Sequence, residues 1–142
     1  MSQALPSSEY VVQKESVTLL QGTDSLNVID RVVSTKISNI ISLGRREVLF
    51  CDFNGRICDI GTVFSISDNV LLVSSSTEGS NTRKTLVDGK SWDENCEVLI
   101  ADDAIIRITI FPGDISELFS KFDIDCPNFV DNEIFEVDNI LI

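Results

Sequence analysis

The stretch Val48-Leu49-Phe50-Cys51-Asp52-Phe53-Asn54-Gly55-Arg56-Ile57-Cys58-Asp59-Ile60-Gly61-Thr62-Val63-Phe64-Ser65-Ile66-Ser67-Asp68-Asn69-Val70-Leu71-Leu72-Val73-Ser74 decides how the chain folds. At its start Val48, Phe50 and Asp52 alternate with Leu49, Cys51 and Phe53, the period-two pattern of a strand whose side chains point to opposite faces. Asn54-Gly55 then predicts a two-residue type I′ hairpin turn, because that turn needs positive φ at both central residues and Asn-Gly tolerates it best. Arg56 to Ile66 is the return strand, and the tight turn Asp68-Asn69 leads into Val70 to Ser74. A meander of three antiparallel strands over residues 47–74 is expected. Gly55 serves the turn and is no phosphate cradle, since no glycine-rich phosphate-loop spacing surrounds it.

Working outward from the meander, Glu9 to Gln21 reads as extended, with Tyr10, Val11 and Val12 followed by β-branched Val17 and Thr18, and Gly22 ends it. Asp24 is placed to cap a helix whose Leu26, Ile29, Val32 and Val33 share one face, a core stripe at helical spacing. An irregular segment from Ser34 to Leu43 and a break at Gly44 lead back to the meander. Beyond it, a helix is expected over Glu78 to Val87, stopped near Gly89, then strands at Glu97 to Ala101 and Ile105 to Phe111. Pro112-Gly113 punctuates, Asp114 caps a short helix bearing Ile115, Leu118, Phe119 and Phe122, and Ile134 to Ile142 reads as a last strand. The order predicts an α+β fold, a largely antiparallel sheet with two or three helices packed on it. One domain over 9–142 follows an N-terminal tail of residues 1–8.

The 142 residues suit one domain, and 43% hydrophobic with 24% charged residues is an ordinary globular balance. The chain has no His, which removes the commonest general base, the usual zinc ligand and every Ser–His or Cys–His nucleophile pair. A net charge of −12 repels phosphate backbones and argues against nucleic acid and anionic membrane as partners. The acids concentrate late: residues 1–90 carry 10 acids and 9 bases, and 91–142 carry 13 acids and 2 bases, which reads as a solvated, solubility-keeping face. Met1 to Ser8 lacks a signal peptide's basic start and apolar run, and no apolar stretch approaches the ~20 residues that span a bilayer, so a cytoplasmic location is expected. Cys51, Cys58, Cys96 and Cys126 form no Cys-x-x-Cys pair and are read as reduced, mostly buried thiols, with a four-Cys metal site as the alternative.

The run Ser16 to Thr35, then Leu43-Gly44, Cys51-Asp52-Phe53-Asn54-Gly55-Arg56-Ile57-Cys58-Asp59 and Asn69-Val70-Leu71-Leu72-Val73, resembles in order and spacing the first part of the glycine-cleavage T-protein (aminomethyltransferase) and its folate-binding relatives. Cys96 to Asp102 and Ile105 to Gly113 resemble the strand, strand and helix that close the first half of that family's folate domain, so the likeness runs over about residues 10–142. The resemblance implies half of a folate-binding domain, with tetrahydrofolate or a related folate as its cofactor and a role in one-carbon metabolism. The downstream glycine-rich segment whose Glu recognises the pterin has no counterpart here.

The matching positions also depart from the family. Its aminomethyltransferases carry Gly-Gly-Ile-x-Asp-Asp after the hairpin, with the second Asp beside the reacting folate nitrogen, and here Gly55-Arg56-Ile57-Cys58-Asp59-Ile60 keeps only the first. An isoleucine cannot stabilise a developing iminium-type cation, so no catalytic residue is assigned. The family's Thr-Asn becomes Thr35-Lys36, and a later Asn corresponds to Ser74. The candidate folate contacts are therefore Asp59, Lys36, Ser74 and Arg56. Asp59 is read either as a pterin ligand or as a strand acid facing solvent or pairing with Arg45 or Arg46 across the hairpin. Arg56 is read either as a fork for a folate carboxylate or as a solvated turn residue.

Two functions follow. One is a non-catalytic folate-binding protein of one-carbon metabolism, alone or in a larger one-carbon complex, holding folate weakly, on the order of 10 μM to 1 mM, because half the family's polar contacts are gone. The other is a structural or interaction subunit of a heteromeric amine-oxidising complex that has lost the ligand. A homodimer through the apolar C-terminal strand, Ile134 to Ile142, is expected in either case.

Overall fold

In the computed structural model the meander forms one side of a five-stranded antiparallel sheet. Its strands are β4 (Arg45–Cys51), β5 (Ile57–Ser67) and β6 (Val70–Ser75). β3 (Ser16–Gln21) pairs with β6, and β7 (Glu97–Ile100) pairs with the far side of β3, giving the order β4-β5-β6-β3-β7. A second sheet has the order β1-β2-β8, from Ser2–Ala4, Tyr10–Gln13 and Arg107–Ile110. The structure describes residues 16–75 and 81–103 in full, the backbone of 2–4, 10–13, 80, 107–110, 136–137 and 140–141, and the isolated residues Phe119, Ser120, Asp123, Asp125 and Ile134.

The expected α+β class and meander are present, and several details differ. The extended run Glu9 to Gln21 is two strands in different sheets, and part of the expected tail forms β1 by pairing Ser2 to Ala4 with Gln13 to Val11. At Asn54-Gly55 only Gly55 has positive φ (77°), so the turn is not type I′. Gly55 N–H donates to Asp52 O (2.9 Å), and the Asp52 carboxylate accepts from Asn54 N–H (2.9 Å) and Arg56 N–H (3.0 Å). The turn therefore closes as type I with a left-handed glycine at its end, and the acid before Asn-Gly decides it. The second helix is described over Ser80–Gly89, ending at the expected stop near Gly89, and the expected start at Glu78 lies outside the described residues. Of the helix after Asp114, only Phe119 and Ser120 are among the described residues, and both are helical. The final run is described as a small hairpin, Glu136–Val137 (β9) against Ile140–Leu141 (β10), with Asp138-Asn139, a turn-favouring pair, between them in sequence.

Helices α1 (Ser25–Val32) and α2 (Ser80–Gly89) pack against each other and on one face of the large sheet. Ile29 of α1 is fully buried, with Leu26, Val32 and Val33 packed beside it, as the stripe predicted, and Val28, outside that stripe, is fully buried as well. They join Leu20, Ile37, Val48, Phe50, Val63, Leu71, Val73, Leu86 and Cys96 in one core. Asp24 precedes α1 but does not cap it. Its carboxylate accepts instead from Asn95 N–H (2.7 Å), and its own N–H donates to Asn95 O (3.0 Å), tying the start of α1 to the turn before β7.

The register settles which residues share a face. Pairs Phe50–Asp59, Val63–Val73, Thr18–Val73 and Leu20–Val98 put Asp59 on the face that carries the helices. Leu49–Ile60, Thr62–Ser74, Val17–Ser74 and Leu19–Leu99 lie on the opposite face. A bulge between Phe50 and Cys51 makes Cys58 the extra residue of β5, so it and Asp59 both reach the helices.

Candidate functional site

Asp59 is buried (3% exposed) beneath the first turn of α2. Thr82 of α2 donates its hydroxyl to Asp59 Oδ2, and Ile60 N–H donates to Oδ1 at 2.8 Å. Ser75 Oγ donates in turn to Thr82 Oγ1 (3.2 Å), so Ser75, Thr82 and Asp59 form a buried chain from β6 through α2 to β5. One turn further along α2, Thr85 Oγ1 meets Cys58 Sγ at 3.2 Å, and that thiol also donates to Phe50 O (3.3 Å). Neither expected role of Asp59 as a solvent-facing acid or an Arg45 or Arg46 partner is seen. Arg45 bonds Glu47 (3.1 Å), and Arg46 Nη1 reaches Lys36 O (3.5 Å).

The other three candidates lie elsewhere. Ser74 is buried at 9% exposure on the face away from the helices, beside Thr62 and Val17. Lys36 is exposed in the segment after α1, and Arg56 is exposed at the hairpin turn. Ile60, at the position of the family's second Asp, is 54% exposed on the Ser74 face. The four therefore do not converge on one cavity wall. A folate held by all of them would have to contact both faces of the sheet and the hairpin tip, and this residue set does not fit the group.

A stronger polar assembly involves residues that the sequence did not single out. Arg83 of α2 forks onto Asp102 just past β7 (3.1 and 3.3 Å), and Asp102 also accepts from Val17 N–H (2.8 Å) and Ser16 Oγ (3.0 Å). Burial pushes the Asp102 carboxyl up, but the hydrogen bonds from Arg83, Val17 N–H and Ser16, with the Arg83 charge, outweigh it and hold the group below the usual carboxylate range. The clamp takes the place of the pairing that β3 and β7 would continue, since Val17 N–H goes to the Asp102 side chain while Ala101 N–H donates to Val17 O (2.9 Å).

An open, polar depression of about 660 Å³ lies at the other end of the helices, lined by Asp24, Asn27, Asp30, Arg31, Ser91, Asp93 and Glu94. The carboxylates of Asp24, Asp30 and Glu94 serve the protein's own donors. Glu94 takes Arg31 in a fork (2.8 and 3.1 Å) and Ser91 N–H (2.9 Å), and Asp30 takes Ile37 N–H and Ser38 N–H (2.7 and 3.1 Å). The Arg31 hydrogen bond, then that of Ser91 N–H, holds Glu94 below the ordinary range. Among the described residues no group of His, Cys, Asp and Glu could hold a metal, and Cys51, Cys58 and Cys96 are free thiols; Cys126 lies outside them. No described helix is long and apolar enough to cross a membrane.

No protein-family model matches the sequence, and no curated protein does. Among solved structures the fold is similar to that of the glycine cleavage system aminomethyltransferase T from Bartonella henselae, with a TM-score of 0.71 over 89% of this chain at 8% identity. The class defined is thus an α+β domain with a T-protein-like fold, and the likeness is one of fold alone. The chain spans about a third (34%) of that protein's length.

Proposed function

We propose that this chain is a non-catalytic subunit of T-protein-like fold that works in the cytoplasm by contact with other chains, as in a heteromeric amine-oxidising assembly, without holding a folate. The observation that carries this reading is the register of β5. Of the two acid positions in the family pattern, the one that keeps its Asp, residue 59, points under α2 and is spent on Thr82, while the one facing the other side is Ile60. A second reading, a weak folate site, has one feature in its favour: Ser74 and position 60 share the face opposite the helices.

Calorimetry with tetrahydrofolate, with folinic acid as control, separates the two. The subunit reading expects no saturable heat up to about 1 mM ligand. Saturable binding at or below that concentration, weakened by Ser74→Val, would restore the folate reading.

A further inference from the structure

In two places a glycine follows Asn or Asp, at Asn54-Gly55 and Asp88-Gly89. There the glycine nitrogen is the right distance along the chain to close a five-membered ring on the preceding side chain's carbonyl carbon, with no Cβ of its own to hinder it. The structure treats the two steps differently. Gly89 ends α2, where a Cβ would meet Val32 Cγ1 at 2.7 Å, and the Asp88 carboxylate is held by Lys84. Asn54-Gly55 lies at the tip of the β4–β5 hairpin, with Phe53 to Ile57 all exposed, and a Cβ on Gly55 would meet nothing within 4 Å. Among the described residues the Asn54 side-chain amide has no hydrogen bond. What holds the step is Asp52, whose carbonyl accepts Gly55 N–H (2.9 Å) and whose carboxylate accepts Asn54 N–H and Arg56 N–H (2.9 and 3.0 Å).

We propose that Asn54 is a self-modifying site, converted to aspartate and isoaspartate by attack of Gly55 N on its side-chain carbon, at a rate that Asp52 controls. Gly55 N gives its proton to hydroxide, and its lone pair attacks Asn54 Cγ. The N–Cγ bond forms, the Cγ–Nδ2 bond breaks, and the side-chain nitrogen takes a proton from water and leaves as ammonia. Water then opens the ring. Attack at Cγ restores the main chain with an aspartate, and attack at the Asn54 main-chain carbonyl leaves Gly55 joined through Cγ, an isoaspartate. The sum is one water consumed and one ammonia released, with no oxidation or reduction. At Asp88 the same ring would have to form on a charged carboxylate, a poor electrophile, within a packed helix end.

Asp52 sets the rate because the attacking nitrogen is the one whose N–H it holds, and that bond must open first. The product changes the hairpin in two ways. An isoaspartate adds one carbon to the main chain between the Asn54 Cα and Gly55, so the bond from Gly55 N–H to Asp52 O no longer closes in the same turn. Either product also adds one negative charge to a chain already at −12, beside the Asp52 carboxylate. The pair nearest the turn, Cys51–Ile57, loses its closure, while Phe50 is held by the core and Asp59 by Thr82. The opened segment carries Phe53 and Ile57, both exposed. This inference goes beyond the subunit reading and does not depend on the folate titration.

Ageing the full chain in mildly alkaline buffer and mapping its peptides by mass spectrometry tests it. The peptide holding Asn54 should gain one dalton as ammonia is released, with isoaspartate told from aspartate by its main-chain fragments, and Asp88 should stay unconverted. The rate should rise with pH, because Gly55 N must lose its proton. Asp52→Ala should speed conversion about fivefold, the equivalent of one net hydrogen bond. If that variant does not fold, the parent chain in urea, where the turn is also lost, gives the same reading. Asn54→Gln, at an exposed position, would need a six-membered ring and should not convert. In the isoaspartate fraction the Gly55 and Arg56 amides should exchange hydrogen faster than in Asn54→Asp, which carries the charge without the extra carbon. An Asn54 that stays intact over several conversion times of the urea-unfolded chain, an Asp52→Ala variant no faster than the parent, or equal isoaspartate at Asp88 would overturn the proposal.

Discussion

Replacing Thr82 by valine tests whether the buried chain Ser75–Thr82–Asp59 holds α2 on the sheet. The two side chains have nearly the same shape and helix propensity, so the change acts through the hydroxyl. Thr82 is fully buried and donates to the carboxylate of Asp59, itself 3% exposed. A hydrogen bond to a charged group contributes about 1.5–3 kcal/mol, and Ser75 Oγ, 4% exposed, loses its acceptor for about 1 kcal/mol more. The added methyl recovers about 0.8 kcal/mol by burial. The net expectation is a loss of about 2–3 kcal/mol, which at this chain length lowers the melting temperature by roughly 6–10 °C. Urea unfolding followed by circular dichroism measures it, with Thr82→Ser as the partner variant: it keeps the hydroxyl and should lose only about 1 kcal/mol, for the methyl. If Thr82→Val loses less than about 0.5 kcal/mol, or if Thr82→Ser is the more damaging change, the hydroxyl chain does not hold the helix and the reasoning fails.

Gly22→Ala should be among the most damaging single changes, at about 3 kcal/mol or more in the same unfolding assay, because Gly22 has φ of +132° and a Cβ there would lie 2.1 Å from Asn95 O. Asp102→Asn should destabilise the protein at pH 7 and converge with the parent in acid. The Asp102 carboxyl is held below its ordinary value in the fold, so its contribution is present above the unfolded-state value of about 3.9 and is lost as pH falls through the folded one; equal loss at pH 7 and pH 3 would refute this. Ile60→Asp, at a site 54% exposed, should change stability by less than about 0.5 kcal/mol and should not confer tetrahydrofolate binding in calorimetry, since the retained acid, Asp59, lies on the opposite face of the sheet.

What the sequence could carry was local periodicity, and what it could not carry was partner choice. The alternation from Val48 to Ser74 and the stripe Leu26, Ile29, Val32 and Val33 each encode a buried face within one element, and the meander and α1 follow from them. Asp24 before α1 looked like a cap because caps are recognised by position, yet its carboxylate bonds Asn95, 71 residues away. The same distance problem hid the Arg83–Asp102 clamp, since an exposed-looking Arg on a helix and an Asp in an acidic run carry no local mark of each other. Asp59 shows the limit most clearly. Strict alternation through Arg56–Ile66 places Asp59 on one face and Cys58 on the other, whereas the bulge opposite Phe50 and Cys51 brings both to the helix side. A bulge leaves no signature in hydropathy, because one extra residue reverses parity without changing composition. Which face each of two neighbouring positions takes is therefore a question of register, and here register puts the surviving acid, Asp59, under α2 and the substituted one, Ile60, on the opposite face.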